Sequence, residues 1–143
     1  MKKIYKLFII VAVVGLICGL GVYLYVFHKP HRNIGNEKPA FTLTAVELIK
    51  EFTEKEDVTY KLYGDKALQV SGKIADITKK GNDITLILED KTSGVSCSFE
   101  GEYYLNNTDK MNALKVGDQT TIKGKCDGFD MIMGVVLTRC DIP

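Results

Sequence analysis

The sequence predicts a mainly β soluble domain that follows one transmembrane helix and one amphipathic helix. Three observations carry this. Residues 7–27, LFIIVAVVGLICGLGVYLYVF, form a run of 21 residues without a charge. Residues 45–52 place apolar side chains at helical spacing. From residue 67 onward, five segments read as strands, with a helical break between the third and the fourth.

At about 1.5 Å rise per residue, roughly 20 residues cross the hydrocarbon core of a bilayer. Residues 7–27 therefore read as a membrane span, with residues 1–6 as a cytoplasmic N-terminus. A cleaved signal peptide has a shorter apolar core followed by small residues. Gly19-Leu20-Gly21 is the one candidate for such a site, and the apolar run continues past it to Phe27. Lipoprotein processing needs a small residue just before its cysteine, whereas Cys18 follows Ile17. Cys18 reads instead as a small apolar residue packed in lipid. Lys2, Lys3 and Lys6 precede the span, and Lys29 and Arg32 follow it. Counting flanking Lys and Arg favours a cytoplasmic N-terminus by a small margin and puts the soluble domain outside the cytoplasm. Tyr23, Tyr25 and Phe27 mark the outer interface, where aromatic rings partition well.

Residues 28–40, HKPHRNIGNEKPA, are polar and punctuated by Pro30, Gly35 and Pro39, the pattern of an exposed linker. His28 and His31 read as solvated interfacial side chains rather than metal ligands. Residues 41–66 form an N-terminal helical segment. Thr44 followed by Glu47 is a capping-box pattern. Ala45, Leu48, Ile49 and Phe52 give one apolar stripe, and Glu47, Glu51, Glu54 and Glu56 lie on or near a solvated face. The helix continues, kinked near Asp57, toward Leu62 and Tyr63, and Gly64 ends it as a C′ residue.

Residues 67–143 carry the strands. The first, residues 67–77 (ALQVSGKIADI), is long and bends at Gly72, with Leu68, Val70, Gly72, Ile74 and Asp76 on one face. Residues 78–82 make a hairpin turn into residues 83–89 (DITLILE), which alternate as a half-buried strand does. After a turn at 90–94, residues 95–99 (VSCSF) put Val95, Cys97 and Phe99 on one face. Residues 100–115 read as a loop plus a short helix, with Leu114 and Val116 reaching back to the core. Asn106-Asn107-Thr108 matches a glycosylation acceptor, a pattern that chance also produces. Gly117-Asp118 turns into a fourth strand, residues 119–126. Residues 127–130 form a tight connection, and residues 131–140 are the fifth strand.

This order predicts a five-stranded OB-fold Greek-key barrel, with a generic five-stranded half-barrel as the plainer alternative. In the OB barrel the first strand pairs with both the second and the fourth. Gly124, in the fourth, permits close packing.

Charge and chemistry narrow the function. The whole chain is +1. From Ala40 onward, 13 Lys and Arg stand against 17 Asp and Glu, so 13 minus 17 gives −4. Nucleic-acid binding rests largely on neutralising phosphates with Lys and Arg, and that footprint is missing. Catalysis needs a nucleophile, a base and an orienting group within reach of one another, yet no histidine follows His31. Asp127 and Asp130 fall in one turn, where aspartates usually shape the backbone rather than bind a cation. There is no phosphate-binding Gly-rich loop ending in Lys-Ser or Lys-Thr. The expectation is therefore no enzyme, no metal and no cofactor. Cys97, Cys126 and Cys140 are an odd number, consistent with one disulfide plus one buried thiol in an oxidising compartment. Cys97–Cys140 would join neighbouring strands of an OB barrel.

OB barrels bind through the face of their second and third strands and the adjoining loops. Those loops hold residues 79–82 and 128–131. The candidate ligand-binding residues are Lys79, Lys80, Asn82, Tyr103, Tyr104, Phe129 and Asp130. Each aromatic ring among them has the alternative role of covering an end of the barrel.

The chain also resembles a known family through several stretches. They are the Lys-rich start and apolar span, Lys29-Pro30-His31-Arg32, Leu43-Thr44-Ala45 with Glu47-Leu48, and Val70-Ser71-Gly72. Further along they are residues 95–99, Gly117-Asp118, residues 122–128 and residues 135–140. This pattern is similar to that of the bacterial tRNA-anti-like proteins, small OB-fold proteins often carrying an N-terminal membrane anchor. The resemblance covers nearly the whole chain. It implies the fold, and its name, taken from anticodon-binding domains of tRNA synthetases, does not imply tRNA binding. The shared appearance of Cys126 and Cys140 in that pattern makes them the disulfide candidates. The combined expectation is a membrane-anchored extracytoplasmic OB-fold binding module. It is held by residues 7–27, and its ligand is a glycan, a peptide or an envelope protein. The alternatives are a single-stranded nucleic-acid binder and a structural envelope component.

Overall fold

The computed structural model describes residues 1–28 and 32–143, which divide into two compact units, Met1–Arg32 and Asn33–Pro143. Lys29, Pro30 and His31, which enter the readings of flanking charge, linker and metal binding above, lie outside the described residues. In the first unit a single helix, α1 (Lys2–Phe27), has 26 residues and a mean hydropathy of 2.8 over its most apolar window. It is long and apolar enough to cross a bilayer.

The second unit holds six strands and four short helices: β1 (Phe41–Thr44), α2 (Ala45–Glu54), α3 (Glu56–Tyr63), β2 (Ala67–Lys80), β3 (Asp83–Leu88), β4 (Val95–Phe99), α4 (Gly101–Asn106), α5 (Thr108–Ala113), β5 (Gln119–Asp130) and β6 (Gly134–Asp141). The mixed sheet runs β1-β2-β3-β4-β6-β5, and β5 pairs again with β2. All five expected strands are present as β2 to β6. The sixth, β1, is a correction: residues 41–44 were read as part of the helical segment.

The long strand explains the extra one. Residues 67–73 of β2 pair antiparallel with β5, and residues 74–80 pair antiparallel with β3. This exchange of partners leaves the β3-side edge of residues 68–71 open. Buried backbone groups must find hydrogen bonds, and β1 supplies them by pairing in parallel from Phe41↔Leu68 to Thr44↔Ser71. The irregularity in β2 falls between Ile74 and Asp76, not at Gly72. Gly72 does something else: a Cβ there would lie 2.9 Å from the Ala45 Cβ and 3.3 Å from the Leu88 Cβ. It lets the start of α2 sit directly on the sheet.

Thr44 closes β1 and caps α2. Its Oγ1 accepts from the Glu47 amide at 3.2 Å, and its own amide donates to Glu47 Oε2 at 2.9 Å, the reciprocal capping box. Ala45, Leu48 and Phe52 are buried, and Ile49 packs at the margin. The helix breaks at Lys55, two residues before Asp57. Gly64 ends α3 with φ −53, and the left-handed residue is Asp65 at φ 60.

The core follows from alternation. Leu68, Val70 and Ile74 of β2 meet Ile84, Leu86 and Leu88 of β3, Val95, Cys97 and Phe99 of β4, and Ile122, Val135 and Leu137. Leu114 packs against this core, but Val116 is exposed rather than buried. Two boundaries also differ. Residues 127–130 continue β5 through an irregularity between Cys126 and Gly128, so the turn lies at 131–133 and β6 begins at Gly134. The linker expected to be exposed through residue 40 is docked from Ile34 onward. Ile34–Asn36 forms a single 3-10 turn, and Ile34 is fully buried.

Candidate ligand-binding surfaces

The sequence-predicted site residues divide into two groups. Lys79, Lys80 and Asn82 surround the β2–β3 turn. Lys79 Nζ donates to Asn112 Oδ1 at 2.9 Å and stands 5.7 Å from the centre of the Tyr104 ring. The Tyr104 hydroxyl contacts the same Asn112 oxygen at 3.4 Å. Lys80 is exposed, and the Asn82 Cβ lies beneath Gly101 at the start of α4. Tyr103 is structural. Its ring packs 5.5 Å from Phe99, and its hydroxyl accepts the Ile142 amide at 3.0 Å. Burial, aided by Asp141, pushes the Tyr103 phenol up to about 12. Apart from Lys80 and Asn82, these side chains mainly fasten α4 and α5 to the end of the sheet.

From this end, the outward-turned positions of β2, β3 and β4 are Asp76, Thr78, Lys80, Asp83, Thr85, Ile87, Ser96 and Ser98, of which Ser96 is buried. It is a small-residue, hydroxyl-rich surface. No ring stands among those eight, and single-strand binders use rings on such a face to stack bases.

The second group, Phe129 and Asp130, belongs to the β5–β6 hairpin. The hairpin leaves the sheet beside Val95, at the opposite end of β4 from Phe99 and the β2–β3 turn. The structure therefore does not bring the seven candidates into one site. Phe129 stacks on Phe52 with centroids 6.3 Å apart and planes 15° from parallel, covering the core. Asp130 shapes the turn: its Oδ1 accepts from the Ile132 amide at 2.7 Å and the Met133 amide at 3.0 Å. What it holds up is apolar. Met131 is 94% exposed, Ile132 84% and Met133 48%.

Beside this hairpin lies a cleft of 410 Å³ between α3 and β5, lined by Glu56, Asp57, Tyr60, Lys61, Asp127, Gly128 and Phe129. Gly128 is required here. Its φ is +114, and a Cβ would lie 3.1 Å from two ring carbons of Tyr60. Asp127 is half-exposed, with Lys125 Nζ at 2.7 Å and the Thr138 hydroxyl at 2.9 Å. Asp127 in turn raises the Lys125 ammonium above its ordinary value. Sequence reasoning missed Tyr60 and residues 131–133. In the sequence the apolar MIM triplet (131–133) reads as the start of the fifth strand, whereas β6 begins at Gly134. A three-residue apolar run directly after Asp-containing turn chemistry was the available signal.

The cysteines are a further correction. All four are free thiols, and Cys97, Cys126 and Cys140 are buried. Cys126 stands opposite Leu137, so Cys140 lies three residues beyond it along β6. The thiol beside Cys140 is Cys97, whose Sγ donates to the Val95 carbonyl at 3.8 Å. Cys140 Sγ fills the space above Gly124, 2.7 Å from where a Cβ would be. Burial pushes the Cys126 thiol up to about 11 and the Cys140 thiol well above its ordinary value. Among the described residues, no three His, Cys, Asp or Glu side chains are grouped to hold a metal.

The tRNA_anti-like family model matches residues 1–142. The chain belongs to the tRNA_anti-like family. No curated protein matches it significantly. Among solved structures it is similar to the putative nucleic acid-binding lipoprotein of Klebsiella pneumoniae, with 22% identity, 71% of this chain and 90% of that chain covered, and a TM-score of 0.57. The likeness is one of fold. A more distant match is the asparaginyl-tRNA synthetase of Pyrococcus horikoshii, with 15% identity, 57% of this chain and 20% of that chain covered, and a TM-score of 0.43.

Proposed function

We propose that this family member is a membrane-anchored binding module. Its strands β2 to β6 act as an OB barrel outside the cytoplasm, and its ligand is a glycan, a peptide or an envelope protein. The observation that carries this reading is the pairing of a membrane-length apolar helix, α1, with an OB-type domain that leaves three apolar side chains at the β5–β6 turn in solvent. Contiguous exposed apolar surface on a soluble domain marks an interaction site. Binding rather than catalysis fits the scattered placement of the ionisable groups. Lys2, Lys3 and Lys6, in the first turns of α1, favour a cytoplasmic N-terminus. A reporter fused at Pro143 is expected to be active only outside the cytoplasm, and activity confined to the cytoplasm sinks the topology.

Single-stranded nucleic-acid binding is the second reading, favoured by the description of the Klebsiella relative. Against it stand the −4 balance from residue 40 onward and the ring-free outer face of β2, β3 and β4. A salt titration with DNA and RNA oligomers separates the two. Tight binding that weakens steeply with salt establishes the nucleic-acid reading. A single dominant protein partner in a cross-linking pulldown favours a structural envelope role.

A further inference from the structure

We propose that the edge formed by α3 and the β5–β6 hairpin takes a basic, apolar protein segment. Leu, Ile or Phe side chains of the segment would pack on residues 131–133, and its Lys or Arg would enter the adjacent cleft. This rests on the reading of the chain as a binding module and names the surface and ligand class.

Preorganisation is the first argument. Asp130 locks the turn that displays Met131, Ile132 and Met133. The base of the hairpin is tied to the neighbouring turn, where the Val135 amide donates to the Gly94 carbonyl at 3.1 Å. That turn is itself fixed by Asp90 Oδ1, which accepts from the Thr92 amide at 2.8 Å and the Ser93 amide at 3.1 Å. An apolar prong held this way binds without first paying the entropy of ordering itself. Met side chains adapt to irregular apolar partners.

Charge selects the partner. Glu56 and Asp57 open α3 on one wall of the cleft, Asp127 stands on the other, and Asp130 sits at the base of the prong. Among the described residues Lys61 is the cation in the cleft lining, and Lys125 pairs with Asp127 from beside it, so Glu56 and Asp57 carry most of the attraction. Tyr60, 46% exposed, offers a ring to a cation. These carboxylates attract Lys and Arg. They repel nucleic-acid phosphates and anionic lipid headgroups, the two other surfaces an apolar prong could meet. The chain enters the domain at the far end of this hairpin, where the Ile34–Asn36 turn packs near Lys123 and Asp141.

The test uses the full chain in zwitterionic nanodiscs with methyl-labelled methionine, titrated with a short Lys/Leu peptide, a matched Glu/Leu peptide, a single-stranded oligonucleotide and added phosphatidylglycerol. Expected are shifts at Met131 and Met133 with the Lys/Leu peptide only, while buried Met111 stays fixed. Ile132→Asp is expected to weaken that binding at least tenfold, and Asp57→Lys at least threefold. The inference is overturned if the Lys/Leu peptide produces no shift, if the Glu/Leu peptide works equally well, or if either variant binds like the parent. It is overturned equally if lipid or oligonucleotide moves the two methyls instead. Peptide binding at another face removes this inference and leaves the binding-module reading standing, whereas a cytoplasmic reporter signal removes the proposed location.

Discussion

Lys123 donates through Nζ to the Gly35 carbonyl at 2.6 Å, across 88 residues of sequence. The same ammonium donates to the Glu37 carbonyl at 3.0 Å, and Lys123 is only 8% exposed. A lysine is seldom buried unless it is paired. Here two backbone oxygens receive it, and the segment leading into β1 is thereby fastened to β5, with Ile34 buried beside it.

Lys123→Met keeps the aliphatic stem and removes the donor. The carbonyls of Gly35 and Glu37 then lose their partner, at a cost of about 1–3 kcal/mol. The expected outcome is a lower thermal midpoint, together with proteolytic cleavage near residues 33–38 that the parent resists. An unchanged midpoint and cleavage pattern would show that Ile34 alone holds the segment.

Gly72 tests the contact between α2 and the sheet. Gly72→Ala places a methyl 2.9 Å from the Ala45 Cβ, 3.0 Å from Glu89 Oε1 and 3.3 Å from the Leu88 Cβ. Overpacking of this kind costs about 1–3 kcal/mol. Ala45→Gly in the same chain removes the tightest carbon contact. The double variant should therefore be less destabilised than the sum of the two single ones. Additive denaturation midpoints would place the strain elsewhere.

The strands β2 to β6 are legible in the sequence because their periodicity is local. Buried Ile84, Leu86 and Leu88 alternate with the less buried Asp83, Thr85 and Ile87, and the Thr44–Glu47 cap lies within one turn. What escaped the sequence depends on distant partners. β1 exists because β2 changes partners midway, a consequence of topology and not of residues 41–44 themselves. The buried role of Lys123 depends on carbonyls more than 80 residues away. Gly128 signals a turn by its identity, yet β5 continues through it to Asp130, with the Tyr60 ring packed above the glycine. That one misreading moved the hairpin tip. It also hid the exposure of residues 131–133, and of the two roles open to Phe129 the contact with Phe52 gives the covering one. Cys126 and Cys140 shared a hairpin in the sequence, but register is set by the irregularities in β5.

The buried thiols make alkaline stability a direct test of the core. Cys126 has an ordinary value of 9.0 and is held at about 11 by burial. Above pH 9 the unfolded chain releases this proton before the folded one does. The stability attached to it is thus fully present below pH 9 and is lost as pH rises toward about 11. Two pKa units correspond to about 2–3 kcal/mol. Cys140 shifts in the same direction, through burial and the neighbouring Cys97. Tyr63 and Tyr103, each pushed from 10.0 to about 12 mainly by burial, extend the decline to higher pH. The urea midpoint should be level from pH 7 to about 8.5 and fall between pH 9 and 11. Cys126→Ala lowers the midpoint at pH 7 by leaving a small cavity, but it should flatten the decline between pH 9 and 11. An identical slope in parent and variant would mean that Cys126 ionises in the folded state as freely as in the unfolded one, and that the closed packing of β5 against β6 does not exclude solvent there.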